Sequence, residues 1–108
     1  MTVLSCTASY PAPPEQTNLR RIPVLAEMLE VPIGLSDHTL GIGVPIAAVA
    51  FGACLIEKHV TLDRGDGGVD SAFSLEPAEL ALLVTESERA WQALGTTRIG
   101  PTLSLLHI

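Results

Sequence analysis

The chain has 108 residues, 47% hydrophobic and 17% charged, with a mean hydropathy of +0.40 and a formal net charge of −6. That length suits one small domain with a real core. The acidic balance argues against a nucleic-acid partner, because neutralising phosphates takes clustered Lys and Arg and the six basic residues are scattered apart from Arg20-Arg21.

So apolar a short chain suggests strands and helices buried on both sides, as in α/β folds, and surface meant to be covered by more protein. Met1 leads almost directly into a strand pattern, with no signal-like leader. The apolar run from Ile42 to Ile56 is shorter than the ~20 residues of a membrane span, and Pro45 and Gly52 punctuate it. Cys6 and Cys54 fall inside apolar strand patterns and are expected reduced and buried, as in a cytoplasmic protein.

Thr2 to Cys6 reads as the first strand. Thr7 to Glu15 follows as a loop that Pro11, Pro13 and Pro14 keep extended and stiff. Tyr10 stands on that loop, either as a ligand contact or as a ring packed across a rim. Pro23 fits the first turn of a helix whose apolar stripe is Leu25, Met28 and Leu29. Pro32 to Ser36 reads as the second strand, and Asp37 to Gly43 as a loop with two glycines. Val44 to Ala53 is an alanine-rich helix with almost no polar face, expected to be covered on both sides. Cys54 to Thr61 is the third strand. The acidic, Gly-rich segment Leu62 to Ser71 is a lid over a site or a solvated connector. The last helix starts at Pro77, repeats Leu80, Leu83, Val84, Ser87, Trp91 and Leu94 at helical spacing, and stops at Gly95. Thr96 to Ile108 reads as a linker-like tail, in which His107 has no assigned role.

The order strand, helix, strand, helix, strand defines about three βα units with parallel strands, which cannot close a barrel that needs eight strands and typically about 250 residues. The fold class is α/β, a partial TIM (β/α)8 barrel. In such sheets ligands gather at the carboxyl ends of the strands. Gly34-Leu35-Ser36-Asp37-His38 and Leu55-Ile56-Glu57-Lys58-His59 each bring a histidine to that edge. Sequential strands are usually neighbours, roughly 4.8 Å apart, so the two imidazoles are within reach of one metal ion. Alternation puts Ser36 and His38 on one face, Glu57 and His59 on the same face of the next strand, and Asp37 and Lys58 on the other. The competing reading is two surface histidines bonded to water or backbone, since a catalytic zinc typically has three protein ligands.

Cys6-Thr7-Ala8-Ser9-Tyr10-Pro11-Ala12-Pro13-Pro14-Glu15, Gly34-Leu35-Ser36-Asp37-His38-Thr39-Leu40-Gly41, Glu57-Lys58-His59 and Asp70-Ser71-Ala72-Phe73-Ser74-Leu75 resemble the sialic acid synthase family. With Gly67-Gly68, the last of these leans toward the pseudaminic acid synthase branch. The resemblance covers residues 1 to about 101. It implies that residues 1 to 95 are the C-terminal part of a synthase barrel, and that the small antifreeze-like domain of the family is absent. It further implies condensation of phosphoenolpyruvate with an N-acylated aminosugar aldehyde, in a cytoplasmic protein that is a homodimer at full length. A divalent metal, Mn²⁺ or alternatively Mg²⁺ or Co²⁺, would be held by His38 and His59. Tyr10 and Asp70 match residues near the sugar, and Ser36 a phosphoenolpyruvate contact. Glu57 and His59 are the candidate catalytic pair, with Glu57 as proton acceptor or as an orienter of its neighbour.

Three departures accompany the resemblance. The earlier strands, which bring basic and hydroxyl phosphate contacts, are missing. So is the domain that lends an arginine to the partner subunit. Ala8 stands where many relatives have a polar residue. The alternatives are therefore a synthase piece bearing the metal-binding face, a catalytically inactive truncated fragment or assembly module, and, more distantly, another metal-dependent barrel aldolase.

Overall fold

The computed structural model describes residues 1–97 and 99. Three strands form one parallel sheet in the order β1 (Val3–Cys6), β2 (Ile33–Asp37) and β3 (Ile56–Lys58). Helices α1 (Arg21–Leu29) and α2 (Gly43–Ala50) connect them, and α3 (Pro77–Leu94) follows. This is the open parallel α/β arrangement expected, a sheet with two edges rather than a closed barrel.

All five residues of β2 are buried, as befits the middle strand. On one face, Ile33 and Leu35 join Ile22 of α1 and Ala48 of α2 in the core, with Val3, Leu25, Ala26, Val44 and Ile56 packed around them. On the other face, Gly34 lets its neighbours close in. A Cβ there would lie 2.6 Å from Leu4 Cδ2 and 2.7 Å from the Leu55 carbonyl oxygen, well inside van der Waals contact.

Several boundaries and burials differ from the sequence reading. The third strand is three residues long because its flanks pair with different partners. Cys54 N and the Leu55 carbonyl bond to β2, whereas His59 O accepts from Leu75 N and Thr61 N donates to Leu75 O, making a parallel bridge between Val60 and Leu75. The stripe of α1 is Ile22, Leu25 and Ala26, at i, i+3 and i+4, while Met28 and Leu29 face solvent. Helix α2 ends at Ala50 and is flanked by the sheet and by α3, with Ala47 and Ala50 left exposed. Cys6 and Cys54 are free thiols and both exposed, because Cys6 ends the outer strand β1 and Cys54 lies in the segment that leads into the outer strand β3.

Helix α3 begins and ends as its sequence dictates. Pro77 is its first residue, Glu76 and Glu79 form a reciprocal capping box, and Gly95 is its C-cap. It packs on α2, yet of its predicted stripe only Leu83 is fully buried and Trp91 is 64% exposed. No helix among the described residues is long and apolar enough to cross a membrane. His107 and most of the predicted tail lie outside the described residues.

Candidate functional site

The carboxyl ends of β2 and β3 carry the predicted side chains on the faces that alternation assigns. Ser36 and Glu57 are paired in register, and the Ser36 hydroxyl donates to Glu57 Oε1 at 2.7 Å. Asp37 and Lys58, the next registered pair, meet on the opposite face with Lys58 Nζ 2.6 Å from Asp37 Oδ2. One residue beyond, the rings of His38 and His59 stand 5.3 Å apart between centroids, tilted by 47°.

Two more rings complete a closed circuit. Tyr10 lies over His38 at 4.3 Å and 5.8 Å from Phe73, and Phe73 meets His59 edge-on at 5.5 Å. Tyr10 therefore contacts the histidine directly from the proline-rich loop, which a hydrogen bond from Ala12 N to the His38 carbonyl ties to the end of β2. Asp70 reaches the same place from the Gly-rich segment, with Oδ2 3.5 Å from His59 Nδ1. Tyr10, His38, His59 and Asp70 are thus one cluster, with Ser36 and Glu57 beside it one step down the strands.

Phe73 was not predicted as a site residue. The only signal for it was its place in the Asp70-to-Leu75 motif, because its position depends on how the chain returns after Gly67-Gly68. That return is built by two short 3-10 turns, Arg64–Asp66 and Ser71–Phe73. Arg64 fastens the first to the start of α3, pairing with Glu76 at 3.1 Å and with Glu79, and donating to the Ser74 carbonyl at 3.3 Å. Both charges respond. The hydrogen bond to Glu79 raises the pKa of Arg64, and Glu79 is held below its ordinary value by the Glu76 backbone N–H first and Arg64 second.

Two imidazoles at this separation could together hold a divalent ion. His38 Nδ1 lies 3.1 Å from the Thr7 carbonyl. A carbonyl only accepts, so Nδ1 carries the proton and the Nε2 lone pair is free for a ligand. Asp70 biases His59 Nδ1 the same way. Among the described residues no group of three or more His, Cys, Asp or Glu converges on one point. The protein would supply two imidazole nitrogens, leaving other positions to water and substrate oxygens, an open set that suits a divalent transition metal such as Mn²⁺ better than a closed zinc site.

A parallel sheet that gathers two histidines, two carboxylates and a tyrosine at its carboxyl edge is arranged as part of a (β/α) barrel is, where ligands collect at that edge. The chain belongs to the NeuB family, whose model matches residues 1–98. It is 46% identical over 95 residues to the N,N'-diacetyllegionaminic acid synthase of Campylobacter jejuni, and 43% identical over 96 residues to a pseudaminic acid synthase of the same species. Those alignments take in 88% and 89% of this chain and 28% of each relative. The crystal structure of a sialic acid synthetase from Leptospira borgpetersenii, solved with citrate, superposes with a TM-score of 0.89 at 46% identity, over 98% of this chain and 37% of that one. The chain thus spans little more than a quarter of the length of these curated relatives.

Proposed function

We propose that this chain is the metal-binding face of a sialic-acid-type synthase that condenses phosphoenolpyruvate with an N-acylated aminosugar aldehyde. The observation that carries the proposal is the 5.3 Å approach of His38 and His59, with Asp70 reaching His59 from the Gly-rich segment and Glu57 on β3.

His38 and His59 would hold a divalent ion, best Mn²⁺ with Mg²⁺ or Co²⁺ as alternatives, and that ion when bound supplies Lewis acidity toward the aldehyde oxygen. Asp70 and Tyr10, on loops either side of the histidines, orient the aminosugar. Ser36 presents a hydroxyl toward the phosphoenolpyruvate side and holds Glu57, whose carboxylate accepts or relays a proton as water adds at the reacting carbon. Phe73 closes the cluster from the loop side and keeps water from its apolar wall.

A second reading has its own observation, the engagement of the cations among the described residues. Phosphate departure needs fixed cationic or amide donors. Lys58 is bound to Asp37 within the protein, Arg64 to Glu76 and Glu79, and Arg89 to Glu86, while Arg20 and Arg21 lie at the start of α1. The 108 residues by themselves are then an inactive or assembly module, and the phosphate donors come from barrel strands outside them.

The test is phosphate release that requires both phosphoenolpyruvate and a 2,4-diacetamido-trideoxyhexose. We expect none from the chain alone with Mn²⁺, and turnover abolished by His59→Ala once the front half of a related barrel is supplied. Complemented turnover that is indifferent to His59→Ala would contradict the proposal.

A further inference from the structure

Beyond Asp37 and Lys58 the strands part. His38 O is drawn to Ala12 N on the β1 side, and His59 O to Leu75 N on the other. The last registered pair between β2 and β3 is Asp37 with Lys58, directly before the two histidines.

That pair is unusually well enclosed. The Lys58 side chain is 3% exposed and that of Asp37 1%. Thr39 completes it: its backbone N–H donates to Asp37 Oδ1 at 3.2 Å, its hydroxyl reaches both carboxylate oxygens at 3.0 and 2.8 Å, and its carbonyl accepts from Lys58 Nζ at 2.5 Å. Asp37 and Thr39 thus flank His38, and Lys58 precedes His59. The network lies on the opposite face from Ser36 and Glu57, and its side-chain hydrogen bonds join Asp37, Thr39 and Lys58 to one another.

A buried ion pair is weak evidence for stability, because its attraction has to offset the desolvation of both charges, and apolar replacements are often neutral. What it does supply is a fixed distance. We infer that Asp37, Lys58 and Thr39 are positioning residues that set the separation and orientation of His38 and His59 for a shared divalent ion. The inference rests on the two-histidine metal reading.

The experiment measures Mn²⁺ affinity of the 108-residue chain by electron paramagnetic resonance, with cooperative thermal unfolding followed alongside. The variants are wild type, His59→Ala, the apolar pair Asp37→Leu with Lys58→Met, Lys58→Arg, and Thr39→Val. The apolar pair is expected to keep a cooperative transition while binding Mn²⁺ about 10- to 100-fold more weakly, the usual cost of removing a group that orients metal ligands. Lys58→Arg, which keeps the charge and the donors, should recover part of that loss. If the apolar pair fails to fold, Thr39→Val decides, with a weakening of more than threefold expected. A folded apolar pair, or failing that Thr39→Val, with wild-type affinity would overturn the positioning role while leaving the histidine site intact. No Mn²⁺ binding by wild type, or binding unaffected by His59→Ala, would overturn the metal reading and this inference with it.

Discussion

Ser36 and Glu57 face each other across the β2–β3 ladder, and the serine hydroxyl donates to the carboxylate at 2.7 Å. The bond fixes one oxygen of an otherwise exposed Glu57, on the strand face that alternation shares with His59. In a complemented barrel, Glu57→Gln should lower kcat by about 10²- to 10⁴-fold, the span typical of losing a positioned acid or base. Ser36→Ala should have a smaller effect, because the carboxylate survives with less constraint. Steady-state kinetics decide, and a Glu57→Gln enzyme with near-normal kcat would remove Glu57 from the chemistry.

The Arg64 anchor gives a pH signature. The folded pKa of Glu79 lies below its unfolded value, chiefly through the Glu76 backbone N–H and then Arg64. Its contribution to stability is therefore fully present above the ordinary carboxylate range and lost as pH falls through the lowered value. Arg64 is shifted upward, so its contribution is lost only in strong base and does not enter the acid limb. The stability difference between wild type and Glu79→Gln should be level above about pH 5 and shrink toward pH 3. Denaturant titrations at several pH values would show this. Since Glu79 is solvent-exposed in its ionic contacts, the difference should also diminish in high salt.

Core and surface apolar residues of α1 should separate cleanly. Ile22 is 1% exposed and part of the core, whereas Met28 is 71% exposed. Ile22→Ala should cost about 2–5 kcal/mol, and Met28→Ala should stay within about 0.5 kcal/mol. Equal effects in chemical denaturation would mean that α1 is rotated from the arrangement described here.

The apolar face left open points to association. Leu55 is 48% exposed, Val84 62% and Trp91 64%, along a groove between β3 and α3, and β1 and β3 are edge strands. Unpaired edges and contiguous apolar surface favour self-association. Light scattering should find assemblies larger than one chain that diminish when a barrel complement is added. A protected, cooperative monomer at high concentration would show instead that three βα units suffice.

Much of the site was legible because strand alternation is a hard geometric rule. The faces of Ser36, Glu57, Asp37 and Lys58 followed from counting residues, and Pro77 and Gly95 marked both ends of α3. What sequence did not reveal depends on neighbours. The exposure of Cys6 and Cys54, on and just before the outer strands β1 and β3, reflects sheet edges without partners, which an apolar pattern cannot report. The shortness of β3 reflects Leu75 capturing His59 and Thr61 from a distance of more than ten residues. Likewise Phe73 joins the ring cluster, and Thr39 completes the Asp37–Lys58 network, only through contacts that periodicity does not encode.

The central claim is that His38 and His59 hold one divalent ion together. Mn²⁺ binding, titrated by electron paramagnetic resonance in wild type, His38→Ala, His59→Ala and the double variant, tests it most directly. Because the two ligands act as a unit, each single variant should lose nearly as much affinity as the double. Wild type without a saturable Mn²⁺ site, or single losses that simply add in the double variant, would contradict the account.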